Sequence, residues 1–599
     1  MMVVPQFESV GIVGDNAKLV AEIASLFTRP KRYLPVLDGP RMTRPDWTNE
    51  VIVRANALTF AKCHHAIFAD LSVEAVTKLG SNRRRDSWTA VKSVEEAVVA
   101  LKGIVKAPTD TALWGRDNLA IGLLTAKRSK KILRIVENSA PTTNFLAGGK
   151  HFLIACEAGD DLASIAACNL AFATNASLLM LPQMPREDHA AWLEDIYSIE
   201  SKGDVTGEFS AIQNRVRAWL PKFEFNDYKQ ILFVTRDFPW GIAFPQRPTT
   251  HMFNYPDFGR SVVESIWASQ DTSRSARNAL LLNPHQVGAG EIEKIRKALV
   301  KNKTLVRVQA GPRATVNIVD TLMAVLPTDI IVISTHAGDA KGERITYEYK
   351  DSERIPRRLV VDSAVGFSYN PKIDKVQVQE FERFHELDGV DWTDSAAKAK
   401  MYVGTAIRSW VELGNVAERN KYKTASISIP RVIGSMGLQM HDHIWFAMVQ
   451  GFAPSCAPVV LNNACSSWHE LGQRFLYAGA RAYIGALFPV TNAEAEDLGA
   501  ALFEKQLSMP LPLALWSSQN NVYGRSARRP YAMLGLPFCS IQPNRVDSIK
   551  YLTRAYRDGL VQYEEKAKNS PYPDVKENSQ RFAEFLREDW KAFTRAMQS

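Results

Sequence analysis

The chain has 599 residues, 46% hydrophobic and 23% charged, a mix that fits two to four globular domains. Six cysteines without CxxC spacing exclude a disulfide framework and suit a reducing, cytoplasmic setting. The net charge of +9, from 73 basic and 64 acidic residues, is mild, and the sequence holds neither a secretory leader nor an apolar stretch fit to span a bilayer. The densest basic clusters, Arg83-Arg84-Arg85 and Lys127-Arg128-Ser129-Lys130-Lys131, have no interleaved aromatics. They read as solvated loops and a helix end, not as a nucleic-acid groove.

Residues 1–225 alternate short apolar runs (10–13, 66–69, 131–136, 151–156, 177–181) with helical stretches such as 160–173. That alternation predicts a Rossmann-like parallel sheet. Gly11-Ile12-Val13-Gly14 lacks the third glycine of a dinucleotide fingerprint and the Gly-Lys-Ser/Thr of a P-loop, so it reads as a strand–helix turn, with Asp15 or Asn16 capping the helix. Cys63-His64-His65 offers no fourth metal ligand. A polar join near 200–228 ends at Pro221, and a second α/β domain is expected over residues 226–545.

In that second domain, strands are predicted at 230–234, 278–282, 304–309 and 329–334, with helices at 258–269, 291–300 and 315–325. Two strand ends carry reactive groups. One is Ile331-Val332-Ile333-Ser334-Thr335-His336-Ala337-Gly338, and the other is Pro458-Val459-Val460-Leu461-Asn462-Asn463-Ala464-Cys465-Ser466-Ser467. Continuous apolar runs of this length are buried parallel strands, whose carboxyl ends are where such sheets place chemistry. The two residues lie about 130 positions apart, far more than a crossover needs. The excess, about 341–440, is an insertion, charged at first and then helical over 394–417, and part of it is expected to edge the substrate cleft. A short helix is expected at 444–451, a further strand at 482–487, and a charged helical tail at 546–599.

These segments resemble the CHAT family, caspase-like cysteine peptidases related to caspases and separases. Four ordered landmarks carry the likeness: Thr335-His336-Ala337-Gly338, Asn463-Ala464-Cys465-Ser466-Ser467, Gly479–Val490, and Arg529-Pro530-Tyr531-Ala532-Met533-Leu534-Gly535-Leu536-Pro537. The resemblance covers roughly the second half of the chain. It implies a caspase-like α/β domain with His336 and Cys465 as the catalytic dyad and no metal or cofactor. The implied substrate is a protein, such as a pore-forming gasdermin cut in bacterial immunity or cell death. Residues 1–225 would then serve as a regulatory domain answering an activating partner or ligand.

A cysteine becomes nucleophilic as its thiolate, which attacks a peptide carbonyl while an imidazole protonates the leaving amine. The oxyanion needs backbone N–H donors. Cys465 supplies one. In the family the other comes from a glycine directly after the histidine, whereas here Ala337 follows and Gly338 comes next, so the second donor lies between them. Asp339, Asn463 and Ser466 are the candidate substrate-binding residues. Arg-specific relatives carry an acid two residues before the cysteine, and Asn463 cannot supply that charge. Asp339 is the nearest substitute, which leaves basic and neutral or apolar residues both open at the cleaved position. His469, His285 and the His441-Asp442-His443 run are rival groups, and Arg357-Arg358 is a candidate self-processing point. Two other readings stand beside the peptidase: an inactive CHAT-like scaffold, and a nucleotide sensor acting through the N-terminal sheet.

Overall fold

The apolar runs fold as buried strands and the stretches between them as helices, giving an α/β protein. The computed structural model describes residues 3–42, 47–81, 83, 87–137, 143–159, 161–199, 204–255, 257–270, 275–370, 375–391, 405–414, 416–447, 451–453, 456–524, 526, 528–570 and 573–598. At the N-terminus, β1 (Val10–Gly14) leads into α1 (Ala17–Ala24), whose first turn is capped by the Asn16 side chain accepting from the Leu19 amide. β2 (Val36–Asp38), β3 (His65–Ala69) and β4 (Trp88–Val91) complete a four-stranded sheet of order β2-β1-β3-β4, all parallel.

At the end of α2 (Leu119–Ser129) the basic cluster departs from its solvated reading. Lys127 is buried, with Nζ donating to the Ala24 carbonyl at 3.2 Å and to Asn169 Oδ1 at 2.8 Å. Burial lowers its pKa to about 8. Arg128 Nη2 donates to the Ala176 carbonyl. Lys127 thus ties α2 to the two helices that carry Ala24 and Asn169, and Arg128 ties it to a strand that begins at Ala176; Arg84 and Arg85 of the other cluster lie outside the described residues.

The chain then builds a second sheet. It runs through β5 (Phe145–Leu146), β6 (Gly149–Glu157), α3 (Asp161–Thr174), β7 (Ala176–Leu181), α4 (Arg186–Tyr197), β8 (Gln230–Thr235) and β9 (Thr249–Phe253). Next come β10 (Asn278–Asn283), α5 (Gly290–Lys301), β11 (Leu305–Ala310), α6 (Val316–Val325) and β12 (Ile330–Ile333). After β13 (Ala337–Gly338) the insertion makes β14 (Gly342–Lys350), β15 (Pro356–Asn370), β16 (Lys375–Leu387), β17 (Val390–Asp391) and β18 (Lys423–Ile429), and returns through β19 (Gly437–Gln439) and β20 (Ile444–Trp445). The main sheet resumes at β21 (Val459–Asn462), followed by α7 (Glu470–Tyr477), β22 (Ala482–Ala486), α8 (Asn492–Lys505) and β23 (Tyr531–Gly535), before the closing helices α9 (Ser548–Asn569) and α10 (Pro573–Gln598).

The large sheet has 11 strands in the order β11-β10-β12-β21-β22-β23-β9-β8-β6-β7-β5. Neighbours are parallel except β22–β23 and β5–β7. The strands on either side of the β22–β23 pair therefore run in opposite senses, and the sheet consists of two half-sheets. Their seam is β23–β9, where His251 pairs with Leu534 and the Thr250 hydroxyl donates to the Gly535 carbonyl at 2.7 Å. The expected domain boundary at 225 runs through this sheet, because β6, ahead of it, pairs with β8, beyond it, from Phe152↔Gln230 to Cys156↔Val234.

The insertion differs from its expected charged-then-helical form. It is chiefly a five-stranded antiparallel sheet of order β17-β16-β15-β14-β18, with Ile345, Tyr347, Leu359, Val361 and Trp410 in a small core of its own. Helices Thr405–Glu412 and Val416–Arg419 answer part of the expected 394–417 helix, and residues 392–404 lie outside the described set. The helix expected at 444–451 begins instead as β20, because Ile444 and Trp445 pair antiparallel with Gln439 and Leu438. Arg357 and Arg358 sit in β15, paired with Tyr349 and Glu348 of β14 and held by Asp351, Asp388 and Glu386, which makes them a poor self-processing point. The tail helices α9 and α10 pack against each other and against α6. Tyr563 donates to the Ala324 carbonyl, and Arg307 of β11 pairs with Asp589 at 2.8 Å.

Candidate active site

Register brings the two reactive strand ends together. β12 and β21 are parallel neighbours in which Ile333 pairs with Asn462, and the Asn463 amide donates to the Ile333 carbonyl at 2.9 Å. His336 lies three residues past the first member of that pair and Cys465 three past the second. All four residues of each strand are buried, so the apolar runs fix the depth at which both turns emerge. Arg277 and Asp329 lock the opposite ends of these central strands: Asp329 accepts from the Arg277 guanidinium at 2.7 and 3.1 Å, and from the Arg277 and Asn278 amides.

The cysteine turn is held by a closed hydrogen-bond network. Asn462 Oδ1 accepts from the Ala464 amide at 3.0 Å, and its Nδ2 donates to the Tyr483 hydroxyl at 2.9 Å. That hydroxyl donates to the Ser467 carbonyl at 2.7 Å, and the Ser467 hydroxyl donates to the Asn462 carbonyl at 3.2 Å. Ser466 takes a left-handed backbone (φ 49°), a conformation non-glycine residues adopt rarely, and it acts as the turn residue beside Cys465. Gly485 of β22 lets the turn approach, since a Cβ there would stand 2.9 Å from Trp468 Cα. Cys465 emerges half-buried, its Sγ 3.8 Å from the Val490 carbonyl oxygen.

The histidine side is gripped through its backbone. The Gln439 amide donates to the His336 carbonyl at 2.9 Å, the Thr335 hydroxyl donates to the Gln439 carbonyl, and the imidazole is exposed. In the β13–β19 ladder Ala337 faces Leu438 and Gly338 faces Gly437. Antiparallel pairing alternates, so the Gln439-to-His336 bond commits the Gly338 N–H to Gly437 and turns the Ala337 N–H away from the ladder. Of the two residues left open by the sequence, Ala337 has the better placed donor. The insertion's return strand thus edges the site directly.

Asp339 is tied elsewhere. Its carboxylate pairs with Arg431 Nε at 2.6 Å, and Arg431 also pairs with Glu194 of α4 at 2.8 Å. Asn463 turns its amide toward an acid that sequence reasoning passed over: its Nδ2 lies 3.5 Å from Glu291 Oε1, across 172 residues of chain. The Ser334 hydroxyl donates to the same oxygen. Glu291 is 2% exposed in the first turn of α5. The only sequence signal for it was an acid at a helix start, where a macrodipole partner is commonplace.

The rival groups serve other places. His469 lies 3.9 Å from Asp237 Oδ2, and His189 lies 2.5 Å from Asp237 Oδ1. They border a cleft of about 490 Å³ with Glu157, Arg236 and Asn254, at the strand ends of the other half-sheet. Burial pushes the Asp237 pKa up, but the His189 hydrogen bond and the His469 field together hold it below the usual carboxylate range. Asp442 accepts from the Val316 amide at 2.9 Å and so caps α6, and His285 is exposed and packs against Gly311. Among the described residues no group of His, Cys, Asp and Glu is arranged to hold a metal, and no helix is long and apolar enough to cross a membrane.

No protein-family model matches the chain, and a search of characterised protein sequences returns no match. Among solved structures, Cwp6 from Clostridium difficile aligns at 13% identity over 57% of this chain and 62% of that one, with a TM-score of 0.21, too low to carry an argument.

Proposed function

We propose that the chain is a caspase-like cysteine endopeptidase of the CHAT kind, with Cys465 as nucleophile and His336 as acid–base. The observation that carries this reading is the Ile333↔Asn462 register, which sets an exposed imidazole and a half-buried thiol at matching offsets past adjacent parallel strands. The Cys465 thiolate attacks the substrate carbonyl carbon, and the N–H groups of Cys465 and Ala337 receive the oxyanion. The C–N bond then breaks, with His336 giving its proton to the leaving amine. The same imidazole activates water to hydrolyse the thioester. The half-sheet order β11-β10-β12-β21-β22-β23 suits a caspase-like core, and the implied substrate is a protein, a gasdermin being the example the resemblance supplies.

Labelling of the full chain with peptidyl acyloxymethyl ketones tests this. Modification should map to Cys465 and disappear in Cys465→Ala, and His336→Ala should slow it. Equal labelling of Cys456, or none at Cys465 despite normal folding, would favour the inactive scaffold instead.

Regulation through the N-terminal part has an observation of its own. A cleft of about 870 Å³ opens where β1 and β3 end, lined by Asp15, Asn16, Lys18, Asp70, Arg116 and Asn118. Carboxyl ends of parallel strands are the usual place for a nucleotide or similar polar ligand. A screen of nucleotides for a rise in melting temperature of the full chain tests this, and an unchanged melting temperature throughout counts against it.

A further inference from the structure

The thiol of the cysteine turn faces a backbone oxygen. Cys465 Sγ donates to the Val490 carbonyl at 3.8 Å. That hydrogen bond lasts only while the sulfur keeps its proton, and the negative end of the carbonyl opposes the thiolate that would follow. The ionisable side chains around the turn push the same way. Tyr531 is within electrostatic reach of Cys465 and also of Glu291, Glu494 and Tyr523, all of them neutral or negative. Reactive cysteines ordinarily sit in electropositive surroundings.

A clamp around residues 488–494 fixes the direction of that carbonyl. Arg528 Nε and Nη2 donate to the two carboxylate oxygens of Glu494 at 2.7 and 3.1 Å, and Nη2 also reaches the Pro489 carbonyl at 3.3 Å. The guanidinium lies over the Phe488 ring, 4.8 Å from its centroid. Glu494 in turn accepts from the Thr491 amide at 2.9 Å. Residues on both sides of Val490 are thus fastened to one largely buried, two-pronged Arg–carboxylate pair, a contact that holds geometry as well as charge.

Building on the peptidase reading, we propose that Arg528 is a positioning residue that, through Glu494, latches the Val490 carbonyl onto Cys465, so that the resting chain carries its nucleophile as a protonated thiol. Opening the latch turns the carbonyl away, the proton passes from Sγ to His336, and the thiolate is free to attack. Only the segment around Val490 has to move, because the cysteine turn is held separately by Asn462 and Tyr483. Arg528 here works against its own charge. A cation near a sulfur favours the thiolate, whereas this one, as a clamp, disfavours it.

The test is the pH dependence of Cys465 alkylation by iodoacetamide in the full-length protein, read by mass. In the unaltered protein the midpoint should lie above the ordinary thiol value of about 8.5. In Arg528→Ala it should fall by about one pH unit, with labelling at neutral pH about tenfold faster, while the buried Cys63, Cys156, Cys168 and Cys539 stay unlabelled. Were Arg528 only a nearby charge, its loss would move the midpoint up. That upward shift, or no shift, overturns the latch and leaves the peptidase standing as long as peptidyl acyloxymethyl ketones label Cys465. No ketone labelling of Cys465 in either form overturns both. Should Arg528→Ala misfold and expose the buried cysteines, the unaltered protein decides alone, and a midpoint at or below the ordinary value overturns the latch.

Discussion

In one half of the large sheet the acids at the strand ends face histidines, a hydroxyl and a backbone amide. Glu157 of β6 accepts from the Thr235 hydroxyl and the Arg236 amide, both at 3.1 Å, and Asp237 beyond β8 lies between His189 and His469. In the other half, Glu291 accepts from the Ser334 hydroxyl and stands 3.5 Å from the side-chain amide of Asn463, two residues before Cys465. Both halves use parallel strands with buried faces, yet the cysteine nearest the first cleft, Cys156, lies inside β6 and is fully buried. Similar backbones thus supply one set of strand ends whose acid meets histidines and another whose acid meets a hydroxyl and an amide. The difference lies in which side chains reach the carboxyl edge.

The largest expected effect is on turnover. Cys465→Ala should lower kcat by about 10⁴-fold or more, while Cys156→Ala should leave the rate unchanged in the same peptide assay. Loss of activity on His189→Ala with retention on Cys465→Ala would reverse the comparison. Next is the lock beneath the reactive strands. Asp329→Ala leaves the buried Arg277 charge uncompensated and should cost about 3–5 kcal/mol in urea denaturation, and a loss under 1 kcal/mol would mean that the strands are aligned by packing alone.

The seam should respond to acid. His251 accepts from the Gly241 amide at Nε2 at 2.9 Å, so its proton sits on Nδ1 facing the Met533 carbonyl at 3.2 Å. Burial lowers its pKa to about 4. A histidine depressed in the folded state stabilises above the unfolded pKa, near 6.5, and loses that contribution as pH falls toward 4, by about 3 kcal/mol in all. His251→Asn should flatten this part of the stability–pH curve, and an unchanged slope would place the acid sensitivity elsewhere. The smallest effect is at α8, where Thr491 and Glu494 form a capping box. Thr491→Ala should cost about 1 kcal/mol by thermal denaturation; no loss would show that Arg528 alone fixes this helix start.

Much of this architecture is legible in the chain. The run at 330–333 is apolar throughout, and that at 459–462 is apolar up to Asn462, because both sheet faces are covered, and His336 and Cys465 follow three positions on. The insertion is harder to read. Ile345, Tyr347 and Tyr349 alternate inward against Arg344, Thr346 and Glu348, a strand signal, but the surrounding charge draws attention to the surface instead of the pattern. Glu291 is harder still, because its role depends on a neighbour that only the folded sheet provides. The 225 boundary fails for a related reason: a polar join reads as a linker, whereas sheet pairing across it is a long-range fact.

The chain departs into the insertion at His336 and comes back at Gln439 with an amide fastened to that same histidine's carbonyl. The whole excursion is therefore a loop fastened at both ends to one residue, like a handle welded twice to the same plate. Whatever displaces the insertion's return strand therefore also bears on the backbone that carries the imidazole.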